Sequence, residues 1–171
     1  MEMLIIKTQE QADDLLKDDN LIFDGHIIFE CYINIKGSIE AGGGIKAGQG
    51  IKAGEGIKAG RGIEAGWGIE AGWGIEAGWG IEAGEGIKAG RGIEAGGGIK
   101  AGWGIKAGEG IKAGGGIKAG EGIEAGGGIK AGEDTGIFAG LNVKISNWKI
   151  HAKVSAKIKP ANLMSGFWTG E

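Results

Sequence analysis

The chain has little of what most enzymes and secreted domains are built with. Its 171 residues include one cysteine, one proline, one tyrosine and two histidines. Cys31 has no intrachain partner, which excludes a disulfide framework and points to a reducing, cytoplasmic setting. No signal-peptide pattern and no apolar run of about 18 residues is present, so neither secretion nor a membrane span is expected. With only His26 and His151 available, most metal and acid–base schemes fall away. Threonine occurs only at Thr8, Thr135 and Thr169, which excludes the flat threonine ranks of an ice-binding face. Every aspartate (Asp13, Asp14, Asp18, Asp19, Asp24 and Asp134) lies outside the regular central region. A calcium-binding nonapeptide solenoid, which needs an aspartate in each turn, is thereby excluded.

What the chain does have is glycine, at 41 positions. Collagen needs glycine at every third residue together with much proline. Here the glycines alternate two and four apart, and isoleucine recurs at every sixth position from Ile39 through Ile129 without a slip. That register also argues against disorder, and an internal period outranks every local signal. The unit reads G-I-[K/E]-A-G-x. Six is a multiple of the strand period of two, so isoleucine and alanine share one face and the charge between them takes the other. A helix would lose on propensity, because two glycines per unit cost about 2 kcal/mol relative to alanine. The remaining G-x-G is expected to bend the chain through glycine's tolerance of positive φ. A short strand and a corner, repeated, is a rung of a β-solenoid.

The same frame extends backward through Leu21/Phe23, Ile27/Phe29 and Ile33/Ile35. Forward it continues, with small slips, through Ile137/Ala139, Val143/Ile145, Ile150/Ala152 and Ala156/Ile158 until Pro160, which cannot donate to a ladder. The expected organisation is an N-terminal helical cap over 1–20, a β-solenoid over 21–159 with perfect repeats over about 38–133, and a capping tail over 160–171. In the cap, Thr8 and Gln11 resemble a capping box before a helix over 9–17, with Ala12, Leu15 and Leu16 set against the first turn. In the tail, Leu163, Met164, Phe167 and Trp168 offer apolar surface to cover the last turn. Covers at both ends argue against unlimited end-to-end growth.

Three units per turn give a three-sided coil of 18 residues; two give a flat coil of 12. With three, residues 18 apart are neighbours, and opposite charges meet in 8 of the 13 such pairs between Glu40 and Lys130, against 6 of 14 for the flat coil. Three units also set Arg61 beside Trp79 and Trp73 beside Arg91, both cation–π arrangements. The fold class expected is therefore all-β: a single three-sided parallel β-helix of seven to eight turns.

The G-x-I-x-A unit resembles the glycine-rich hexapeptide solenoids of bacterial and phage proteins and the core of the bactofilins. The resemblance covers roughly residues 37–140. It implies a right-handed, three-sided β-helix, and for the bactofilins a filament-forming role. The left-handed acyltransferase hexapeptide is a poorer match. That pattern places its small inward residue two before the aliphatic one, whereas here alanine follows isoleucine by two and the residue two before is Trp, Glu, Arg, Gln or Gly.

No constellation of catalytic residues, no phosphate-binding G-x-x-x-x-G-K-[ST] loop and no cofactor motif is present, so no enzymatic activity and no cofactor or metal is expected. Information resides in the variable corner. Trp67, Trp73, Trp79 and Trp103 stand there, and Glu64, Glu70, Glu76, Glu82 and Glu85 place five negative charges and no positive one between Arg61 and Lys88. Exposed tryptophans beside acids suit a protein partner with a basic surface. Tandem duplication alone yields the same cluster: WGIEAG occurs three times in succession, and EGIKAGRGIEAG recurs at 55–66 and 85–96. A second candidate is a basic face of Lys144, Lys149, Lys153, Lys157 and Lys159 near Trp148. Net charge runs from −5 over residues 1–37, through −1 over 38–133, to +3 over 134–171.

The expected role is a non-enzymatic scaffold that binds other proteins or further copies of itself, a homodimer included, with nucleic acid disfavoured. The alternative is a small phage-type inhibitor that blocks a nucleic-acid-binding host defence complex through the acidic tryptophan surface. A hexapeptide-type acyltransferase stands last.

Overall fold

The computed structural model describes residues 1–170. From the N-terminus come strand β1 (Glu2–Ile6), helix α1 (Gln9–Asp13) and strands β2 (Leu21–Phe23), β3 (Gly25–Phe29) and β4 (Ile33–Ile35). Fifteen three-residue strands follow at six-residue intervals, from β5 (Ile39–Ala41) to β19 (Ile123–Ala125). Beyond them lie β20 (Ile129–Lys130), β21 (Ile137–Phe138), a 3-10 turn (Ile145–Asn147), helix α2 (Trp148–His151), β22 (Lys153–Ser155), β23 (Leu163–Ser165) and β24 (Phe167–Trp168).

Through the regular region each strand pairs in parallel with the third strand before it and the third after it. Three sheets of nine, eight and seven strands result. Ile69 sits between Ile51 and Ile87, Glu70 between Lys52 and Lys88, and Ala71 between Ala53 and Ala89. A turn is therefore 18 residues, and the protein is a three-sided parallel β-solenoid of about eight turns. The nine-stranded side spans roughly 38 Å at the ordinary strand spacing.

Isoleucine suits the pleat because its β-branched side chain packs well there. The repeat isoleucines from Ile45 to Ile123 are at most 2% exposed, and the alanines beside them are buried as well. No charged or polar side chain is buried among the described residues. The ladder does not stop at the corners. Gly78 N–H donates to the Ala59 carbonyl, Trp79 N–H to Arg61 and Ile81 N–H to Gly98. Corner side chains are thus stacked in vertical files by backbone bonds.

The corners do not turn as expected. No repeat glycine has a positive φ; Gly140, Gly166 and Gly170, all outside the repeat, are the glycines that do. The glycine after alanine is required for a different reason. A Cβ on Gly66 would overlap the carbonyl oxygen of Gly48 in the layer before, and one on Gly72 would overlap that of Gly54. The glycine before isoleucine is freer, with 3.5 Å left between a Cβ on Gly74 and the oxygen of Gly92.

The ends also differ from expectation. Residues 1–20 are not simply a helical cap, because β1 extends the nine-stranded sheet by pairing with β3. Helix α1 is shorter than 9–17: the chain soon turns through Asp18 and Asp19, both at positive φ. Ala12 is buried and Leu16 packs on the core, but Leu15 is exposed. Half of the capping box forms as expected, with Gln11 N–H donating to Thr8 Oγ1 at 3.2 Å, while Gln11 Oε1 reaches one residue further back and accepts the Lys7 N–H at 2.8 Å.

At the other end, Val143/Ile145, Ile150/Ala152 and Ala156/Ile158 are not rungs. The chain leaves the ladder for the 3-10 turn and α2, which exposes Ile145 and Ile150, and Ile158 stands exposed in the bend after β22. Val154 takes the isoleucine position over Ile123, flanked by buried Ala152 and Ala156. Pro160 does not end the solenoid. The segment expected as a separate tail returns as β23 and β24, the last strands of two sheets. Glu171, the last residue of that expected tail, lies outside the described residues.

Candidate functional site

The three consecutive tryptophans do not share a face. Each corner opens onto a different edge of the rod, so Trp67, Trp73 and Trp79 point to three edges in turn. Trp67 lies between the nine- and eight-stranded sheets, Trp73 between the eight- and seven-stranded, and Trp79 between the seven- and nine-stranded. They encircle the rod within one turn, and no flat partner meets all three at once.

What the 18-residue turn brings together is different. Trp67 and Trp103 occupy one edge with Glu85 between them: Glu85 N–H donates to the Trp67 carbonyl, Trp103 N–H to Glu85 and Glu121 N–H to Trp103. Gln49 precedes them on the same file, with the ring of Tyr32 one layer further out against Gly50. Trp67 and Trp103 are about half exposed. The offset of 18 that sets Arg61 beside Trp79 in the sequence also sets Glu85 between Trp67 and Trp103, but an acidic cluster gathered along the chain does not single this edge out.

The other two edges supply their own cations. The Arg61 guanidinium lies 5.1 Å from the centre of the Trp79 ring, and Arg91 lies 5.3 Å from Trp73. A surface groove of about 710 Å³ runs beside the Arg61–Trp79 stack and reaches Met3, His26 and Ile28 near the N-terminal end.

The acidic girdle is less acidic than its sequence. Glu64 and Glu82 lie on the nine-stranded sheet, Glu70 on the eight-stranded and Glu76 on the seven-stranded. Each meets a lysine from an adjacent layer: Lys46–Glu64 at 3.2 Å, Lys58–Glu76 at 3.5 Å and Lys100–Glu82 at 2.6 Å, while Glu70 is flanked by Lys52 and Lys88. With Lys106–Glu124 and Lys112–Glu94, seven of the eight opposite-charge neighbours expected from an 18-residue turn form ion pairs. All are solvent-exposed, so each is worth about 0.2–1 kcal/mol. Glu85 and Glu121 take part in no ion pair among the described residues.

The basic candidate does not form one strand face. Lys144 precedes the 3-10 turn, Lys149 on α2 lies 6.0 Å from the Phe167 ring, Lys153 starts β22, and Lys157 and Lys159 follow that strand. Trp148 is half-buried, its indole N–H donating to the Val143 carbonyl at 3.0 Å.

His26 and His151 stand near opposite ends, and His26 Nδ1 accepts the Gly44 N–H. Among the described residues no group of three or more His, Cys, Asp or Glu is placed to hold a metal ion. No described helix is long and apolar enough to cross a membrane. The class of protein is thus set by its architecture, a glycine-rich parallel β-solenoid with an 18-residue turn. No family model matches the chain, and comparison with curated proteins and with solved structures likewise found no match.

Proposed function

We propose that this chain is a non-enzymatic rod that holds a partner protein, or another copy of itself, through its edges. One observation carries the reading. Four tryptophans stand exposed at corners of a rod whose faces are covered by ion-paired Lys and Glu. Exposed tryptophan is disfavoured on a surface that binds nothing, and tryptophan is the residue most enriched where binding energy concentrates. A stacked parallel ladder suits such a role because it keeps the corners at fixed spacing without requiring any partner to order it.

The test compares the wild type with a variant carrying alanine at Trp67, Trp73, Trp79 and Trp103. These side chains lie outside the core, so the variant keeps its melting curve. Cross-linking in the cell of origin, with light scattering on the purified protein, is expected to show discrete complexes or multimers that the variant loses. A pattern identical in both, together with a fixed monomer mass, refutes the proposal.

A second reading is the inhibitor that occupies a basic, nucleic-acid-binding groove. It is favoured by Glu85 and Glu121, which share the Trp67–Trp103 edge and enter no ion pair among the described residues. Competition between the rod and a nucleic acid for a basic protein separates it from the first.

A further inference from the structure

The three edges of the rod differ in one respect that bears on what they bind. On two of them an arginine sits one layer from a tryptophan and lies over its ring, at 5.1 Å for Arg61 on Trp79 and 5.3 Å for Arg91 on Trp73. The stacking geometry of a corner file therefore delivers a guanidinium from the neighbouring layer onto an indole face. On the third edge the corresponding layer holds Glu85, with Trp67 on one side and Trp103 on the other. No cation lies over either ring among the described residues, and Glu85, a half-buried residue in the layer between the two tryptophans, enters no side-chain hydrogen bond or ion pair there.

We infer that this edge takes a basic partner protein, with an arginine of the partner seated on Glu85 between Trp67 and Trp103. The inference rests on the proposed reading of the rod as a protein binder and names the face and the chemistry of its partner. Two layers separate the tryptophans, roughly 9.6 Å at the ordinary strand spacing. A cation in the Glu85 layer is offset by one layer from each tryptophan, the offset at which Arg61 and Arg91 reach 5.1 and 5.3 Å from their ring centres, within the roughly 6 Å over which a ring face attracts a cation. The carboxylate beneath adds a charge-assisted hydrogen bond of a kind the guanidinium makes well. The flanks do not oppose it: Glu64, Glu70, Glu82 and Glu124 are matched by Lys46, Lys52, Lys88, Lys100 and Lys106. The unpaired charge of the edge is left to Glu85 and, one layer beyond Trp103, to Glu121. These acids are again roughly 9.6 Å apart. An extended chain rises about 3.1–3.4 Å per residue, so arginines three residues apart reach both.

The probe is the blocked peptide Gly-Arg-Gly-Gly-Arg-Gly, titrated into the full-length protein while the six indole N–H resonances are followed by NMR. Tryptophan-to-phenylalanine variants assign the resonances. Shifts confined to Trp67 and Trp103 are expected, and a peptide with glutamate for arginine is expected to produce none. E85R places a guanidinium where the other edges already carry one and is expected to weaken binding about tenfold or more, with E85Q weakening it about threefold. E109R, on the Trp73 edge, leaves binding unchanged. Equal shifts at Trp73 and Trp79, an E85R variant that binds as the wild type does, or no shift at millimolar peptide each overturns the inference. The rod reading fails separately. If cross-linked complexes disappear in the four-tryptophan variant but persist in E85R, the protein binds partners through another edge, and only this assignment is lost.

Discussion

The two glycines that flank Trp73 look equivalent in sequence, yet the geometry assigns them opposite responses to alanine. Around Trp73 they are Gly72 and Gly74, and neither has a positive φ. A Cβ at Gly72 would overlap the Gly54 carbonyl oxygen. Relief requires the layers to part, which lengthens the bonds from Gly72 N–H to Ala53 and from Trp73 N–H to Glu55, both 3.0 Å. Overpacking costs about 1–3 kcal/mol and each weakened hydrogen bond up to about 1 more, so Gly72→Ala is expected to lose about 2–4 kcal/mol. At Gly74 a Cβ would stand 3.5 Å from the Gly92 oxygen, an ordinary contact. Gly74→Ala is therefore expected to gain about 0.4–1 kcal/mol by restricting the unfolded chain. With a urea slope of about 2 kcal/mol per molar, the two midpoints separate by about 1.2–2.5 M. Urea unfolding followed by far-UV circular dichroism and by tryptophan fluorescence measures this directly. Equal shifts for the two variants would refute the close-approach argument and return the corner to a question of backbone freedom alone.

The remaining expectations follow from the core, the N-terminal end and the surface. Ile75 is 1% exposed in the middle of the rod, so Ile75→Ala is expected to cost about 2–5 kcal/mol in the same urea assay, and Ile75→Val about 0.5–1.5. Gln9 closes the free edge of β4 with its side-chain amide, which donates to the Asn34 carbonyl at 3.0 Å and accepts the Asn34 N–H at 2.9 Å. Gln9→Ala is expected to cost about 1–3 kcal/mol and to speed hydrogen exchange at the Asn34 amide, whereas Gln9→Glu keeps the acceptor and retains part of the protection. Glu82→Ala removes an exposed ion pair with Lys100, and its effect is expected to stay below about 1 kcal/mol and to shrink as salt is raised in thermal melts.

Much of this architecture was legible from residue order, and the reason is that a solenoid is nearly one-dimensional. Each layer contacts only its neighbours, so a period of six with isoleucine and alanine two apart dictates strand, corner and core without long-range information. The choice of 18 over 12 residues per turn was legible as well. Opposite charges such as Lys46 and Glu64 fall side by side more often at an offset of 18 than of 12, although like pairs such as Glu64 and Glu82 also occur. The two arginine–tryptophan stacks follow from the same offset.

Where the period lapses, residue order stops being sufficient. Ile145 and Ile150 fit the rung pattern by spacing yet stand exposed, because a short apolar run is equally compatible with the turn and helix that carry the chain off the ladder. Val154 reclaims the column after that excursion, a register that only packing over Ile123 decides. The glycine steric requirement likewise exists only between layers, as the approach of Gly66 to Gly48 shows. The site divides in the same way. Residue order is enough to mark the unusual residues, four corner tryptophans and a run of glutamates, whereas their surroundings follow from the closing of the turn. It dispersed the consecutive tryptophans over three edges and neutralised Glu64, Glu70, Glu76 and Glu82 with lysines a layer away. It also joined Trp67, Glu85 and Trp103 across intervals of 18 residues. Proximity on a solenoid surface is set by the turn and not by the chain, so neighbours in sequence part and distant residues meet.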